Sequence, residues 1–478
     1  MRTRIVVIGY GMAGSRLVSE LRARAPHAEV TVVGAEPVRA YNRILLSSLV
    51  AGKAREADVL LNETVGRGVD LRLGLEAVGI DRTDRVVALS DGSTVHYDRL
   101  VLATGSRAWL PPIKGLVHDD GGLAPRVAPF RTLDDCRRIV ELAGGARTAL
   151  VLGGGLLGLE AARGLAGRGL TVTVLHAVGH LMERQLDPAA SAVLVSTLSS
   201  LGVGVELDVA TAEVRSGSRG VEVVLGDGRC VPADLFVVAC GVRPETRLAE
   251  DAGLAVERGI VVDDRMRTTD RAIYALGDCA QHDGVVGGLV APAWEQARVV
   301  ADVVTGVRPL ARYRPTPPVT RLKAAGIDLA AMGESTELAG EQVTFADPTR
   351  GTYAKLVVRD RRLIGAILLG DNPTVGTVIQ LFDRGGRVPD DLRGLLLGRP
   401  IAGPAEPGGG SPALMPDAAI VCRCNTVTKG ALVACWRDGV RSVAGLSSRT
   451  RAATGCGTCL SAVEGIQSWL STIEEVPA

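Results

Sequence analysis

Arg4-Ile-Val-Val-Ile-Gly9-Tyr-Gly11-Met12-Ala13-Gly14 is the stretch that decides how the rest of this chain is read. A short apolar run passes directly into glycines spaced G-x-G-x-x-G, and Ser15 to Arg24 then carries Leu17, Val18 and Leu21 at helical intervals. A second apolar run, Glu29 to Val33, ends at Glu36. Strand, glycine turn, helix and strand make a βαβ unit. Its glycines allow a tight turn and close approach of a pyrophosphate, which the helix N-terminus faces. Glu36 lies about 20 residues past the glycines, where a carboxylate accepts hydrogen bonds from a ribose diol.

The pattern recurs. Thr148-Ala-Leu-Val-Leu152 runs into Gly153-Gly-Gly155-Leu156-Leu-Gly158, followed by a helical stretch through Glu160, Ala161 and Leu165 and a strand-like run from Thr171 to Leu175. Two complete phosphate-cradling units imply two dinucleotides. The second acceptor strand ends at His176, where an acid would favour NADH. No Arg follows until Arg184, where an earlier one would favour NADPH. The residues leave the nicotinamide choice open, with a lean to NADH because a 2′-phosphate calls for a positioned guanidinium.

The chain has 478 residues, and 46% hydrophobic content supports several buried cores. Lys and Arg number 54 against 53 Asp and Glu, a net charge of +1, so no overall field draws the protein to nucleic acid or to anionic lipid. The N-terminal apolar run is short and leads into a glycine turn, which reads as a strand and not as an export signal. No long apolar run free of Gly, Pro and charge predicts a membrane span. With no export signal, the nine cysteines read as reduced thiols of a cytoplasmic protein.

Four of those cysteines come in pairs, Cys422-Arg-Cys424 and Cys456-Gly-Thr-Cys459, separated by residues 425–455. Two thiolate turns flanking a helical stretch from Lys429 to Asp438 suit a compact cradle for [2Fe–2S]. Tetrahedral zinc on four cysteines is the rival, although zinc ribbons usually show two CxxC knuckles and the first pair here is CxC. Cys435 falls within the helix and reads as core. Before this module, Gly398 to Pro412 is too rich in Pro and Gly to pack and reads as a flexible linker that lets the module swing.

Two further segments widen the picture. Tyr97 to Ser106 is a buried strand ending in Ala103-Thr104-Gly105, and Arg271 to Asp278 is a short strand ending in Gly277-Asp278. With Gly241-Val-Arg-Pro244, these make the chain resemble the two-dinucleotide-binding-domain flavoprotein reductases, an α/β fold of the glutathione-reductase type. The resemblance implies FAD on the first glycine turn, held also by Asp278, and NAD(P)H on the second. It implies an FAD domain at 1–115 and 245–310, an NAD(P)H domain at 116–244 and an α+β interface domain at 311–397. A linker at 398–417 and a small α-helical [2Fe–2S] domain at 418–478 complete the expectation. FAD then converts a two-electron donor to a one-electron centre. Dithiol chemistry at the flavin is not expected: Ser47 and Ser48 stand where a sulfur nucleophile would, and Cys136 is the first cysteine. Cys279 reads as a small buried residue.

The four-cysteine pattern with Thr454-Gly-Cys-Gly-Thr-Cys459 resembles the bacterioferritin-associated-ferredoxin-like [2Fe–2S] domain. The full order of parts resembles the N-terminal half of NAD(P)H-dependent nitrite reductase large subunits and the electron-transfer subunits of bacterial assimilatory nitrate reductases. The matching motifs are Ala40-Tyr-Asn-Arg-Ile-Leu-Leu-Ser-Ser48, Phe130-Arg-Thr-Leu-Asp-Asp135, Leu181-Met-Glu-Arg-Gln-Leu-Asp187, Trp294-Glu-Gln-Ala297 and Thr320-Arg-Leu-Lys323. Nitrite reductases of that family continue into a sirohaem half. This chain ends at Ala478, so the resemblance implies a partner: a molybdopterin nitrate reductase or a sirohaem nitrite reductase. A homodimer or a hetero-oligomer is compatible with it. Arg43 and Lys323 are expected as cations near the flavin, Glu160 on the nicotinamide side, and Trp294 either near the flavin or in the core. The competing assignments are a flavoprotein subunit of an amine or opine dehydrogenase, and an NAD(P)H reductase serving another redox protein.

Overall fold

A computed structural model of the chain describes residues 3–61, 68–322, 324, 326–335, 340–397, 412–422, 425, 427–454 and 459–474. Its first sheet is parallel throughout, in the order Ile273–Ala275, Arg99–Leu102, Arg4–Ile8, Glu29–Gly34 and Val69–Leu73. Ile5, Val6, Val7 and Ile8 are all buried, so side chains on both faces of this strand are covered. Helix Met12–Arg24 packs beside helix Val290–Val304.

The second sheet repeats the plan with its own residues, in the order Val203–Glu206, Thr171–Leu175, Thr148–Leu152, Leu235–Val238 and Val127–Pro129, again parallel. It is built from chain that leaves the first sheet after Leu102 and returns at Ile273, whose register partner is Leu100. The outgoing and returning strands pair with each other as an antiparallel ribbon, Ser106–Ala108 against Val242–Pro244. Arg243 stacks on Trp109 at that crossing. The whole second unit is therefore inserted into the first through one two-stranded hinge.

A third, antiparallel sheet runs Val319–Leu322, Leu329–Gly333, Arg362–Leu369, Thr352–Arg359 and Glu341–Asp347. Period-two alternation sends its side chains to two different cores. Leu329, Ala331, Tyr353 and Ile367 join the core of the second unit, with Leu194 and Leu198. Ala330, Met332, Ala354 and Leu368 face the other way, onto Val378 and Phe382 of helix Val375–Arg384. That helix stops at Gly385, which takes the left-handed cap conformation at φ 55°. The apolar runs Leu329 to Met332, Tyr353 to Val358 and Leu363 to Leu369 predict three strands of this sheet, and the structure adds two, Val319–Leu322 and Glu341–Asp347. The latter is an edge strand with no fully buried residue, so its alternation carries little apolar contrast.

The cysteine module has a core of its own, formed by Cys422, Leu432, Trp436, Leu446, Val463 and Ile466 among others. A short hairpin, Ile420–Cys422 with Val427–Thr428, precedes helices Lys429–Arg437, Val443–Thr450 and Leu460–Glu474. Thr428 caps the first of these by accepting from Ala431 N–H at 3.2 Å. The expected linker was drawn to residue 417, and its residues 398–411 lie outside the described ones. Residues 412–417 pack on the module instead. Lys429 Nζ donates to Met415 O at 2.7 Å, and Gly430 N to Asp417 O at 2.8 Å. A buried ammonium needs such acceptors, which draws this segment in. Among the described residues, no helix is long and apolar enough to cross a membrane.

Candidate functional site

A cavity of about 910 Å³ opens where all these units meet. The first glycine turn forms its floor. Gly9 sits at φ 103°, and a Cβ there would lie 2.1 Å from Ala103 O; its counterpart Gly153, at φ 115°, would put one 2.4 Å from Ala239 O. Gly14 and Gly158 likewise sit hard against the carbonyls of Gly9 and Gly153. These contacts force each strand-to-helix turn to close tightly. Gly11 and Gly155 differ: a Cβ on Gly11 would meet only Arg43 Nε, at 4.0 Å, and one on Gly155 would meet nothing within that distance. The open space above each is where a pyrophosphate approaches the helix N-terminus.

Met12, Ala13, Glu36, Ala103, Thr104, Gly105, Gly277 and Asp278 all line the cavity with Gly9 and Gly11. From the second unit come Leu156 and the buried Glu160. Gly153, Gly155, Gly158 and His176 lie outside it. Arg43 also lines it, but its guanidinium is at the glycine turn. It pairs with Glu36 and donates to Arg131 O at 3.1 Å. Tyr41 Oη donates to Glu36 Oε2 at 2.7 Å and accepts from Leu133 N–H at 3.0 Å. Burial raises the Tyr41 phenol, opposed by the charge of Arg43 and assisted by Glu36.

Arg131 was quoted in a motif without a role, and the structure supplies one. Its Nη2 lies 2.6 Å from Asp278 Oδ2 and 2.6 Å from Ser106 Oγ, which itself donates to Asp278 at 2.8 Å. The turn that carries Asp278 is held from behind, since Gly277 N–H donates to Gln296 Oε1 at 2.8 Å. Trp294, almost fully buried, donates Nε1–H to Met12 O at 3.1 Å and does not line the cavity. The Trp294-Glu-Gln-Ala297 motif thus braces the two turns from the core side.

Lys323 lies outside the described residues. Its neighbour Arg321 lines the cavity, and its buried Nε has no protein partner. Glu295 Oε2, on the same cavity, is likewise buried and unpartnered, while its Oε1 accepts from Thr316 at 2.8 Å. Arg321 and Glu295 thus bring one cation and one anion to the lining of a largely apolar cavity, which fits a flat ligand with a polar edge, such as an isoalloxazine.

At the second turn, Gly154 N–H donates to His176 Nδ1 at 3.1 Å, which places the imidazole proton on Nε2. Nε2 in turn lies 3.1 Å from His180 O and 3.3 Å from Glu183 Oε2. Glu183 therefore stands where the strand end lacks an acid of its own. The sequence offered no cue to it beyond its place in the Leu181 to Asp187 motif.

The remaining wall comes from the cysteine module, through Ile420, Val421, Cys459 and Ala462. Cys422 and Cys459 are both buried, and Cys424 and Cys456 lie outside the described residues. The adjacent Cys459 thiol pulls Cys422 down to about 6 against the opposing effect of burial, helped by the amides of Asn425 and Ala453. Ala453 N–H points at Cys459 Sγ from 3.2 Å, and Asn425 Nδ2 lies 3.7 Å from Cys422 Sγ. A Cys422 thiol drawn toward the thiolate, with N–H donors aimed at both sulfurs, fits the ligand set of an iron–sulfur cluster. The cysteines elsewhere are of another kind. Burial raises Cys136 and the fully enclosed Cys279, and lifts Cys240 to about 11. None of these three is poised for redox chemistry at the cavity.

Residues 3–299 match the model of the pyridine nucleotide-disulphide oxidoreductases. Residues 318–381 match the rubredoxin NAD+ reductase C-terminal domain, and residues 420–467 the BFD-like [2Fe-2S] binding domain. The assimilatory nitrate reductase electron transfer subunit of Bacillus subtilis (strain 168) is 35% identical over 99% of this chain and 60% of its own length. The nitrite reductase (NADH) large subunit of Escherichia coli (strain K12) is 34% identical over 96% of this chain and 54% of its own. The chain thus spans little more than half the length of these curated relatives. Among solved structures, the covalent putidaredoxin reductase–putidaredoxin complex superposes with a TM-score of 0.73 at 26% identity, covering 83% of this chain and 98% of that one.

Proposed function

The chain belongs to the pyridine nucleotide-disulphide oxidoreductase family, and from that premise we propose that it draws electrons from NAD(P)H for a separate nitrate or nitrite reductase. FAD, when bound, takes a hydride equivalent from the nicotinamide and a [2Fe–2S] cluster carries electrons singly, which is the chemistry these groups supply. What carries the reading is one convergence: Asp278 of the first unit, Glu160 of the second and Cys459 of the module line a single cavity.

The chain's own residues then divide the work. Gly11 and the helix it opens would hold the FAD pyrophosphate, with Arg43, paired with Glu36 beside them, as counter-charge to phosphate. Glu36 takes the adenosine ribose, and Asp278, fixed by Arg131 and Ser106, takes the ribityl chain. Arg321, which lines the cavity, would supply a cation to the isoalloxazine alongside the expected Lys323. Leu156 and Glu160 line the side on which the nicotinamide enters and help keep water from it. Gly155 cradles the second pyrophosphate, and Glu183 beside His176 favours the diol of NADH over a 2′-phosphate. Cys422, Cys424, Cys456 and Cys459 hold the cluster.

A molybdopterin nitrate reductase or a sirohaem nitrite reductase in the cytoplasm is the acceptor this reading calls for; the names of the relatives support a nitrate or nitrite reductase as the acceptor. Anaerobic titration with NADH and then NADPH, followed by visible absorbance and low-temperature EPR, tests it. Flavin bleaching with a one-electron signal that disappears in Cys456→Ser is the expected result. Flavin that stays oxidised with both nucleotides, or a metal that assays as zinc, overturns it.

A further inference from the structure

We infer that Asn42 is a positioning residue that latches the cysteine module in its seat at the cavity, an inference that rests on reading that cavity as the flavin site. Asn42 is almost fully buried, at 1% exposure. Its Oδ1 accepts from Ile44 N–H at 3.1 Å, capping the short turn Arg43–Leu45, while its Nδ2 donates to Thr454 O at 3.0 Å, 412 residues away in the chain. One edge of the carboxamide thus serves its own turn and the other crosses to the module. A buried amide left without its acceptor is costly, so the bond favours the seated state.

The partner end is tied directly to the ligands. Asn425 Nδ2 approaches Thr454 Oγ1 at 3.2 Å and Cys422 Sγ at 3.7 Å, and Thr454 Oγ1 donates to Arg451 O at 2.8 Å. A continuous path of polar contacts therefore leads from the turn at Arg43 and Ile44, both on the cavity wall, to a cysteine of the module. Other features of the seam do not favour seating as strongly. The extensive packing of the module's helices is with one another, and Arg16 of the first unit feels the like charge of Arg451. A directional hydrogen bond is what fixes position in such a seam. The Asn42 bond defines the seated state of the module.

The carboxamide can be tested atom by atom in the full-length, FAD- and cluster-loaded protein. Asn42→Asp keeps an oxygen for Ile44 N–H but sets an acceptor against the Thr454 carbonyl; Asn42→Ser keeps a cap whose reach is too short, and it decides the matter if the Asp variant does not fold. Amide hydrogen exchange is read at Ala452, Ala453 and Thr454, with helix Leu46–Val50 as internal control, alongside rapid-mixing reduction of flavin and cluster by NADH. Expected are exchange faster by about tenfold at the module turn only, unchanged flavin reduction, and cluster reduction slower by about tenfold. Unchanged exchange and cluster reduction overturn the latch, as does faster exchange in Leu46–Val50 to the same degree, which would mark Asn42 as a fold residue. Wild-type flavin that NADH does not reduce would sink the functional reading, while the exchange comparison would still decide the latch.

Discussion

Arg131 and Asp278 form an ion pair, 2.6 Å from Nη2 to Oδ2, that joins the inserted unit to the returning strand of the first sheet across 147 residues of sequence. Both side chains are less than one fifth exposed, so solvent screens the pair weakly. Removing Arg131 frees Asp278 to swing and takes a cation from the cavity wall. Arg131→Gln should weaken FAD binding by about tenfold or more, given ~1.5–3 kcal/mol for a hydrogen bond to a charged group. Fluorescence titration of the apoprotein with FAD measures it, and an unchanged Kd would remove Arg131 from the site.

Glu183 offers a switch of nucleotide preference. Its carboxylate lies 3.3 Å from His176 Nε2 at the end of strand Thr171–Leu175. Glu183→Arg replaces a diol acceptor by a partner for a 2′-phosphate. The ratio of kcat/KM for NADH over that for NADPH should fall by up to about fivefold, from an energy of up to ~1 kcal/mol at this partly exposed rim. Steady-state assays with a dye acceptor read it directly.

Asp187 clamps the second unit to the antiparallel sheet. It caps helix Pro188–Ser200 through Ala190 N–H and accepts from Tyr353 Oη at 2.8 Å and Lys355 Nζ at 3.0 Å. Burial raises the Asp187 carboxyl, but the Ala190 amide, Lys355 and Tyr353 outweigh it and hold it below the ordinary aspartate range. A folded-state value below the unfolded one means the stabilisation is present above the unfolded value of about 4 and is lost as pH falls through and below it. Melting temperature should therefore drop more steeply with acid in the wild type than in Asp187→Asn. Asp187→Ala should cost ~3–5 kcal/mol by leaving Lys355 charged, buried and unpaired.

Arg321 should tune the flavin. A guanidinium at the polar edge of the ring stabilises the reduced, anionic form, so Arg321→Gln should lower the two-electron midpoint by about 30 mV for each ~1.4 kcal/mol lost. A dye-coupled potential titration checks this. A midpoint that does not move would return the role to Lys323.

Cysteines within the module should part cleanly. Cys422, depressed to about 6, is poised as a thiolate, whereas Cys435 packs in the module core beside Leu432 and Trp436. Cys422→Ser should lose the iron and its EPR signal. Cys435→Ser should keep both and melt lower, at a cost of ~1–2 kcal/mol for a hydroxyl in an apolar core. Iron content and EPR of the two purified variants distinguish them.

The sequence by itself determined the two glycine turns, the strands and helices around them, the insertion of one unit into the other, and the Cys422 and Cys459 ends of the cluster motif. The turns and their flanking elements follow from short-range rules, in which a strand, a tight turn and a helix N-terminus must occupy neighbouring positions for phosphate to be held, whereas the insertion was legible only through the resemblance carried by longer motifs. The edge strand Glu341–Asp347 is hard to read because its half-exposed surface leaves little apolar contrast beyond Val343 and Phe345. Only the tertiary structure decided which side chains share the cavity. It paired Arg43 with Glu36 on the cavity wall and gave Arg131 to Asp278. It set Lys355 on Asp187, 168 residues apart, and Asn42 on Thr454, 412 apart. Those pairings depend on how an inserted unit, an antiparallel sheet and a separate module are seated on one another. Their energies belong to directional bonds between distant residues, and no local pattern along the chain encodes such a seat.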